Sequence, residues 1–268
     1  MSAEAIVAGA ERLLAEGRLP EALAECRRAL ALEADCLAAH VCMARAKLPG
    51  EDYLAYLRRF HDALRPRTYL EIGVDAGRTL SLARPPTRAI GVDPALRETP
   101  PFLAETRLYA MESDAFFERE AARALAGKPI DLAFVDGLHL FEQALRDFIH
   151  VERHAARGSV VLFHDCLPLD GDTARRQRRT GFWTGDVWKL VPVLEKHRPD
   201  LTVFLVPAYP TGLAVATGLD PASRTLSDRF DEIVAEFLPR DWTDGPQDPK
   251  LPLVDNDWPS VLARLGRA

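Results

Sequence analysis

A chain of 268 residues with 47% hydrophobic and 28% charged residues is long enough for one sizeable core plus a smaller attachment, and too apolar to belong to the disordered class. A formal charge of -6 at pH 7 argues against a binder that works by neutralising nucleic-acid phosphates. The start Met-Ser-Ala-Glu lacks the basic, then apolar pattern of a secretory leader, and no run approaches the roughly 18 apolar residues of a bilayer span, so a cytoplasmic chain with no membrane partner is expected.

Residues 3–48 are rich in Ala, Leu, Glu and Arg, with Ile6, Ala10, Leu13 and Leu14, then Ala22, Leu23, Cys26 and Leu30, at helical spacing. The Gly17-Arg18-Leu19-Pro20 break ends one helix and begins another, Pro20 being tolerated in a first turn. Ala10, Leu13, Gly17, Ala22, Ala29 and the turn Glu33-Ala34-Asp35 resemble a tetratricopeptide repeat, with Ala34 standing where that repeat usually carries proline. One repeat plus a further helix over 36–48 is too little for a peptide-binding solenoid, so a docking or homodimerisation element is expected. Cys26, Cys36, Cys42 and Cys166 lack metal-ligand spacing and are read as buried free thiols.

Pro49-Gly50 punctuates, and a connecting helix over 51–64 carries Tyr53, Leu54, Leu57, Phe60, His61 and Leu64 on one face. Strands are then expected at 69–72, 88–92, 107–111, 131–135, 159–163, 201–206 and 213–217. Helix-length connectors between the first five imply a parallel sheet covered on both faces, and the short link 207–212 implies a final antiparallel hairpin. A helix near 228–237 and an extended Pro- and Asp-rich tail over 239–259, packed on the domain, close the chain. The expected organisation is a helical element 1–48, a connecting helix 49–66, an α/β Rossmann-like domain 67–219, and a C-terminal helix and tail 220–268.

The first strand ends in Glu71-Ile72-Gly73-Val74-Asp75-Ala76-Gly77, with a helix expected from Arg78. Gly73 and Gly77 permit a tight turn and close backbone approach to a ligand. The second strand ends in Asp93, where a carboxylate can accept both hydroxyls of a ribose. The full G-x-G-x-x-G spacing that cradles a pyrophosphate is missing, which disfavours a dinucleotide and leaves an NAD-dependent oxidoreductase as the weaker enzymatic alternative. Glu71-x-Gly73-x-x-x-Gly77 resembles the first motif of class I S-adenosylmethionine-dependent methyltransferases, and Asp93 falls on their ribose-binding acid. By that resemblance Ser113 and Asp114 fall where the family contacts adenine; read on its own, Asp114 is a candidate helix cap.

Asp136-Gly137-Leu138-His139 follows the fourth strand and His164-Asp165 the fifth, at the carboxyl ends where open α/β sheets place their sites. Two carboxylates and two imidazoles there can hold a divalent cation or supply a general base for a hydroxyl. The pattern is similar to metal-dependent sugar O-methyltransferases, which implies His139 as base, Asp136 as ligand and base partner, and Asp136, His164 and Asp165 around the metal. His164 stands where that group carries a carboxylate, which weakens the case for magnesium and leaves manganese, iron, zinc or no metal open. The alternative for His164-Asp165 is a hydrogen-bonded pair that orders its loop. A small-molecule acceptor is the expected partner, with the basic run 175–179 and Trp183 on the loop that would meet it. The non-enzymatic alternative is a helical-repeat interaction protein that binds a nucleoside without turnover.

Overall fold

The computed structural model describes residues 2–97, 99–243 and 251–266. Seven strands form one sheet: β1 (Thr68–Ile72), β2 (Arg88–Val92), β3 (Glu105–Tyr109), β4 (Ile130–Val135), β5 (Ala155–His164), β6 (Thr202–Val206) and β7 (Leu213–Thr217). Their order is β3-β2-β1-β4-β5-β7-β6, parallel through β5, with β7 antiparallel to both β5 and β6. This is the expected α/β Rossmann-like sheet with its terminal hairpin. Side chains alternate across it as the two-residue strand period requires. Ile72, Val92, Val135 and Phe163 join one apolar cluster, while Tyr69, Phe134, Leu162 and Phe204 join another on the opposite face.

The helices are α1 (Ala3–Ala15), α2 (Leu19–Leu32), α3 (Leu37–Lys47), α4 (Tyr53–Leu64), α5 (Ser113–Arg119), α6 (Ala121–Leu125), α7 (Phe141–Arg153), α8 (Leu190–His197), α9 (Thr225–Asp228), α10 (Phe230–Phe237) and α11 (Trp258–Arg264). The first cluster includes Phe116, Phe148, Leu190 and Ile233 together with Ala10, Cys26, Cys42 and Met43, so the N-terminal helices share an apolar core with the sheet. All four cysteines are free and buried. Among the described residues no helix is long and apolar enough to cross a membrane.

Several boundaries depart from expectation. β3 begins two residues earlier than its pattern suggests, because as a largely exposed edge strand it is held by backbone pairing to β2 rather than by burial. The helix expected from Arg78 is a single 3₁₀ turn at Leu80–Leu82. Pro85 and Pro86 follow too closely for a longer helix. The loop before α8 carries a buried acid, Asp186, that makes no cap bond to the turn it precedes. Its Oδ1 instead accepts from the Phe141 N–H at 2.9 Å and caps α7, while its Oδ2 receives Arg176 and Lys189.

Of the expected tail, residues 244–250 lie outside the described residues. The part beyond them runs beside β6 through a parallel bridge between Leu205 and Leu253 and ends in α11, a helix absent from the expected pattern. Asn256 donates to the carbonyls of Pro49 and Pro207 at 3.0 and 3.1 Å and accepts from the Tyr56 hydroxyl at 2.8 Å, tying the tail to α4. Asn256→Ala strands these partners and is expected to cost about 1 to 3 kcal/mol in denaturant unfolding, with α4 loosened first in hydrogen exchange.

Candidate active site

The carboxyl ends of β1, β2 and β4 open on a cavity of about 620 Å³, within the range of small-molecule sites. Gly73, Asp93, Ser113, Asp114, Asp136 and His139 line it, together with Tyr53, Gln143, Asp147 and Arg178. Gly73 has φ +88, and a Cβ there would lie 2.0 Å from the Asp136 carbonyl oxygen, so only glycine lets β1 and β4 deliver their loops so closely. The loop is fixed by Asp93, whose Oδ2 accepts from the Val74 and Asp75 N–H groups at 2.8 Å each and whose Oδ1 accepts from Ala95 at 2.7 Å. A carboxylate offers about four acceptor positions. Three are occupied by backbone N–H groups, which orients the carboxylate on the cavity wall.

Gly77 and Glu71 do not line the cavity. Gly77, at φ +69, turns the loop against Thr99 and Phe102. Glu71 is fully buried, accepting from the Tyr69 hydroxyl at 2.5 Å and from Thr79 at 2.7 Å. Burial pushes its carboxyl up to about 8, against the stabilising hydrogen bonds of Tyr69 and Thr79. The folded chain therefore holds a proton there that the unfolded chain releases near its ordinary pKa. Stability on this account is highest at acid pH, falls as pH rises from about 4.5 to about 8, and is level above. Glu71→Gln should abolish that slope and stabilise the chain at pH 8 by on the order of a few kcal/mol, read by urea unfolding across pH.

Ser113 and Asp114, in the first turn of α5, join a polar group with α7. Ser113 Oγ donates to Asp147 at 2.6 Å, and the Gln143 amide donates to Ser113, Asp114 and Asp147 at 3.2 Å each. Asp114 does not serve as the α5 cap; it turns to Arg146 and His150 at 3.5 and 3.6 Å. Burial raises the Asp147 carboxyl to about 7 despite the Ser113 and Gln143 hydrogen bonds.

The acid and imidazole cluster forms at the ends of β4 and β5. His139 Nδ1 lies 2.9 Å from Asp165 Oδ2, and its Nε2 lies 3.7 Å from Asp136. The Nδ1 approach is off the N–H direction, leaving that buried atom without a well-formed hydrogen bond among the described residues. His139 and Asp165 sit at φ +58 and +61, left-handed backbone that points both side chains toward one another. Gly185 makes this possible, since a Cβ there would lie 1.9 Å from the His139 carbonyl oxygen. Burial works against a charged His139, yet the charges of Asp165 and Asp136 outweigh it and lift the imidazole to about 9.

His164 stands beside the same two carboxylates and lines the small cavity between them. Both its nitrogens are engaged: Nδ1 lies 3.3 Å from Asp136 and 3.6 Å from Asp165, and Nε2 lies 3.2 Å from the Thr211 hydroxyl. The Tyr53 ring covers it at 4.2 Å. Among the described residues the donor atoms that come within 4.8 Å of one another are those of Asp136, His139 and Asp165, not a set containing His164. A small cavity of about 10 Å³ lies among these residues, the room of roughly one water or one ion. Two carboxylates and two imidazoles, those of Asp136, Asp165, His139 and His164, line it, a mixed oxygen and nitrogen donor set that suits a borderline divalent cation.

Tyr53, Gln143, Asp147, Arg178 and Thr211 carry no motif; they reach the site because α4, α7, the 165–186 loop and the β6–β7 turn converge there. Burial and then the charge of Asp136 raise the Tyr53 phenol to about 12, so it enters the cavity neutral. Trp183 stacks on His139, ring centroids 5.1 Å apart and planes at 9°.

Residues 70–166 match the family model of a methyltransferase domain. No curated protein matches the sequence significantly. Among solved structures the chain is similar to the O-methyltransferase TomG from Streptomyces achromogenes, involved in tomaymycin synthesis and solved with SAM. That match has 18% identity over 69% of this chain and 89% of that one, at a TM-score of 0.47. It is also similar to the O-methyltransferase from Bacillus cereus in complex with SAH, at 13% identity over 65% of this chain and 86% of that one, with a TM-score of 0.43. Both likenesses are distant, and the site's own geometry carries the chemistry. The glycine loop after β1 and the ends of β2, β4 and β5 all fall within the segment 70–166 that matches the methyltransferase-domain model.

Proposed function

We propose that the protein is an S-adenosylmethionine-dependent O-methyltransferase that acts on a hydroxyl of a small molecule, a sugar or glycosylated natural product, with His139 as base and Asp136 and Asp165 as ligands for a divalent cation. The observation that carries this reading is the placement of His139 on the cavity wall, held between two carboxylates beside the glycine loop. S-adenosylmethionine, when bound, supplies a methyl group already activated on sulfur. The chain's task is alignment and proton removal. Gly73, Asp93, Ser113 and Asp114 border the part of the cavity suited to the nucleoside, and His139 borders the part where an acceptor hydroxyl would stand.

With both carboxylates ionised, His139 holds its proton at neutral pH. Neutralising Asp136 and Asp165 lowers it toward the ordinary imidazole range, where it accepts a proton from a hydroxyl. A divalent cation, when held there, would supply that neutralisation and acidify an acceptor oxygen. An amine would need neither aid once deprotonated, so the cluster favours oxygen.

The NAD-dependent alternative loses ground on the backbone that follows Gly77. A pyrophosphate site leans on a helix N-terminus, and a single 3₁₀ turn stands there instead. A purely nucleoside-binding interaction protein would not need carboxylates and an imidazole converging on the cavity.

The test is a screen of hydroxylated acceptors with methyl-labelled S-adenosylmethionine, with and without chelator. An O-methyl product is expected, with turnover falling about a hundredfold on chelation, the equivalent of about 3 kcal/mol, and returning with Mn²⁺ or Mg²⁺. Undiminished turnover after exhaustive chelation would remove the cation from the proposal and leave His139 as its remaining catalytic group.

A further inference from the structure

The segment between β5 and α8 touches two distant parts of the molecule through neighbouring residues. Phe182 stacks on His40 of α3, ring centroids 5.5 Å apart and planes at 10°. Trp183, the next residue, stacks on His139. The turn before α3 supplies a second grip, since the Asp35 carboxylate accepts from the Gly181 N–H. Lys47, at the end of α3, donates to the Leu169 carbonyl and holds the start of the same segment.

The stretch between these grips is bonded to itself. Arg178 donates to the carbonyls of Thr180 and Gly181 at 3.2 Å each, Thr180 Oγ1 donates to the Phe182 carbonyl at 2.6 Å, and the Trp183 indole N–H donates to the Arg175 carbonyl. Such a turn shifts as a unit rather than residue by residue. On the domain side it is tied by Arg176 to Glu142 and Asp186, and by Thr184 to the Thr173 carbonyl. On the other side its supports are Asp35 and His40. His40 is 2% exposed, and burial holds its imidazole below the ordinary pKa, so its contact with Phe182 is packing of a neutral ring.

We propose that the N-terminal helices serve to place the acceptor-facing loop: Asp35 and His40 are positioning residues that act through Phe182 and Trp183 on His139. The catalytic meaning of this coupling rests on His139 being the base, but the coupling itself does not. It gives the helical element a role within its own chain. A single repeat cannot form a peptide groove, yet it can buttress one loop.

The test reads the His139 ring directly. Its side-chain proton resonances, assigned with His139→Ala, lie under the ring current of Trp183, and Trp183→Leu defines their position without the stack. In the full-length Asp35→Ala/His40→Leu variant, the His139 resonances are expected to move toward the Trp183→Leu position. Affinity for S-adenosylhomocysteine by calorimetry should stay unchanged. Asp35→Asn keeps an acceptor oxygen for the Gly181 N–H and should keep the wild-type spectrum. His139 resonances that remain at the wild-type position in the double variant would overturn the proposal. Should that variant fold poorly, Asp35→Ala alone, at an exposed residue, carries the same comparison. Failure of the wild-type chain to bind S-adenosylhomocysteine would instead count against the methyltransferase reading and leave the spectral test intact.

Discussion

His139→Ala is expected to lower kcat by about 10²- to 10⁴-fold, the usual contribution of a positioned general base, with affinity for S-adenosylhomocysteine unchanged. The separation follows from where the residue stands. His139 enters the cavity from the loop after β4, whereas the residues proposed to meet the nucleoside come from the loops after β1, β2 and β3. Removing the imidazole deletes the proposed proton acceptor; Asp165 loses its nearest ring nitrogen, at 2.9 Å, while Asp136 loses one at 3.7 Å and keeps His164 at 3.3 Å. Asp165, 6% exposed in its side chain, then keeps His164 at 3.6 Å and the Thr211 hydroxyl, so the variant should fold. Steady-state kinetics and calorimetry on one preparation check both halves. A variant turning over at the wild-type rate with saturating acceptor would remove His139 from the mechanism.

Gly73→Ala is expected to do the opposite kind of damage, abolishing nucleoside binding and costing several kcal/mol of stability. The added Cβ would stand 2.0 Å from the Asp136 carbonyl oxygen and 2.4 Å from its carbon, both backbone atoms that cannot swing aside. Positive φ at +88 adds strain for any residue with a side chain. Relief would require β1 and β4 to part where Asp136 donates its N–H to the Ile72 carbonyl at 2.8 Å. Gly9→Ala is the matched control. It lies inside α1, where an added methyl would meet nothing within 4 Å, and should stabilise by up to about 1 kcal/mol. Denaturant unfolding and a titration with S-adenosylhomocysteine separate the two.

The strands were legible because their burial alternates or runs unbroken at lengths that only a covered sheet explains, and the short 207–212 link announced the hairpin. Asp136, His139 and Asp165 were legible for the same reason: polar residues directly after apolar strands fall at the carboxyl edge. What the pattern could not show was which imidazole faces the cavity. His139 and His164 look equivalent as sequence, yet His139 lines both the large cavity and the small one while His164 lines only the small one. Tyr53 reads as one more apolar position of a helix until the pairing of Asp52 with Tyr209 carries that helix start to the site. The helix expected after Gly77 shrinks to one turn because Pro85 and Pro86 leave no room for it, and Glu71, which reads as a ligand contact in a linear motif, accepts from Thr79 instead.

The most direct test of the central claim is calorimetric titration of the full chain with S-adenosylhomocysteine and, separately, with NAD. One equivalent of S-adenosylhomocysteine should bind, and NAD should give no heat of binding. Binding of NAD without S-adenosylhomocysteine would contradict the account.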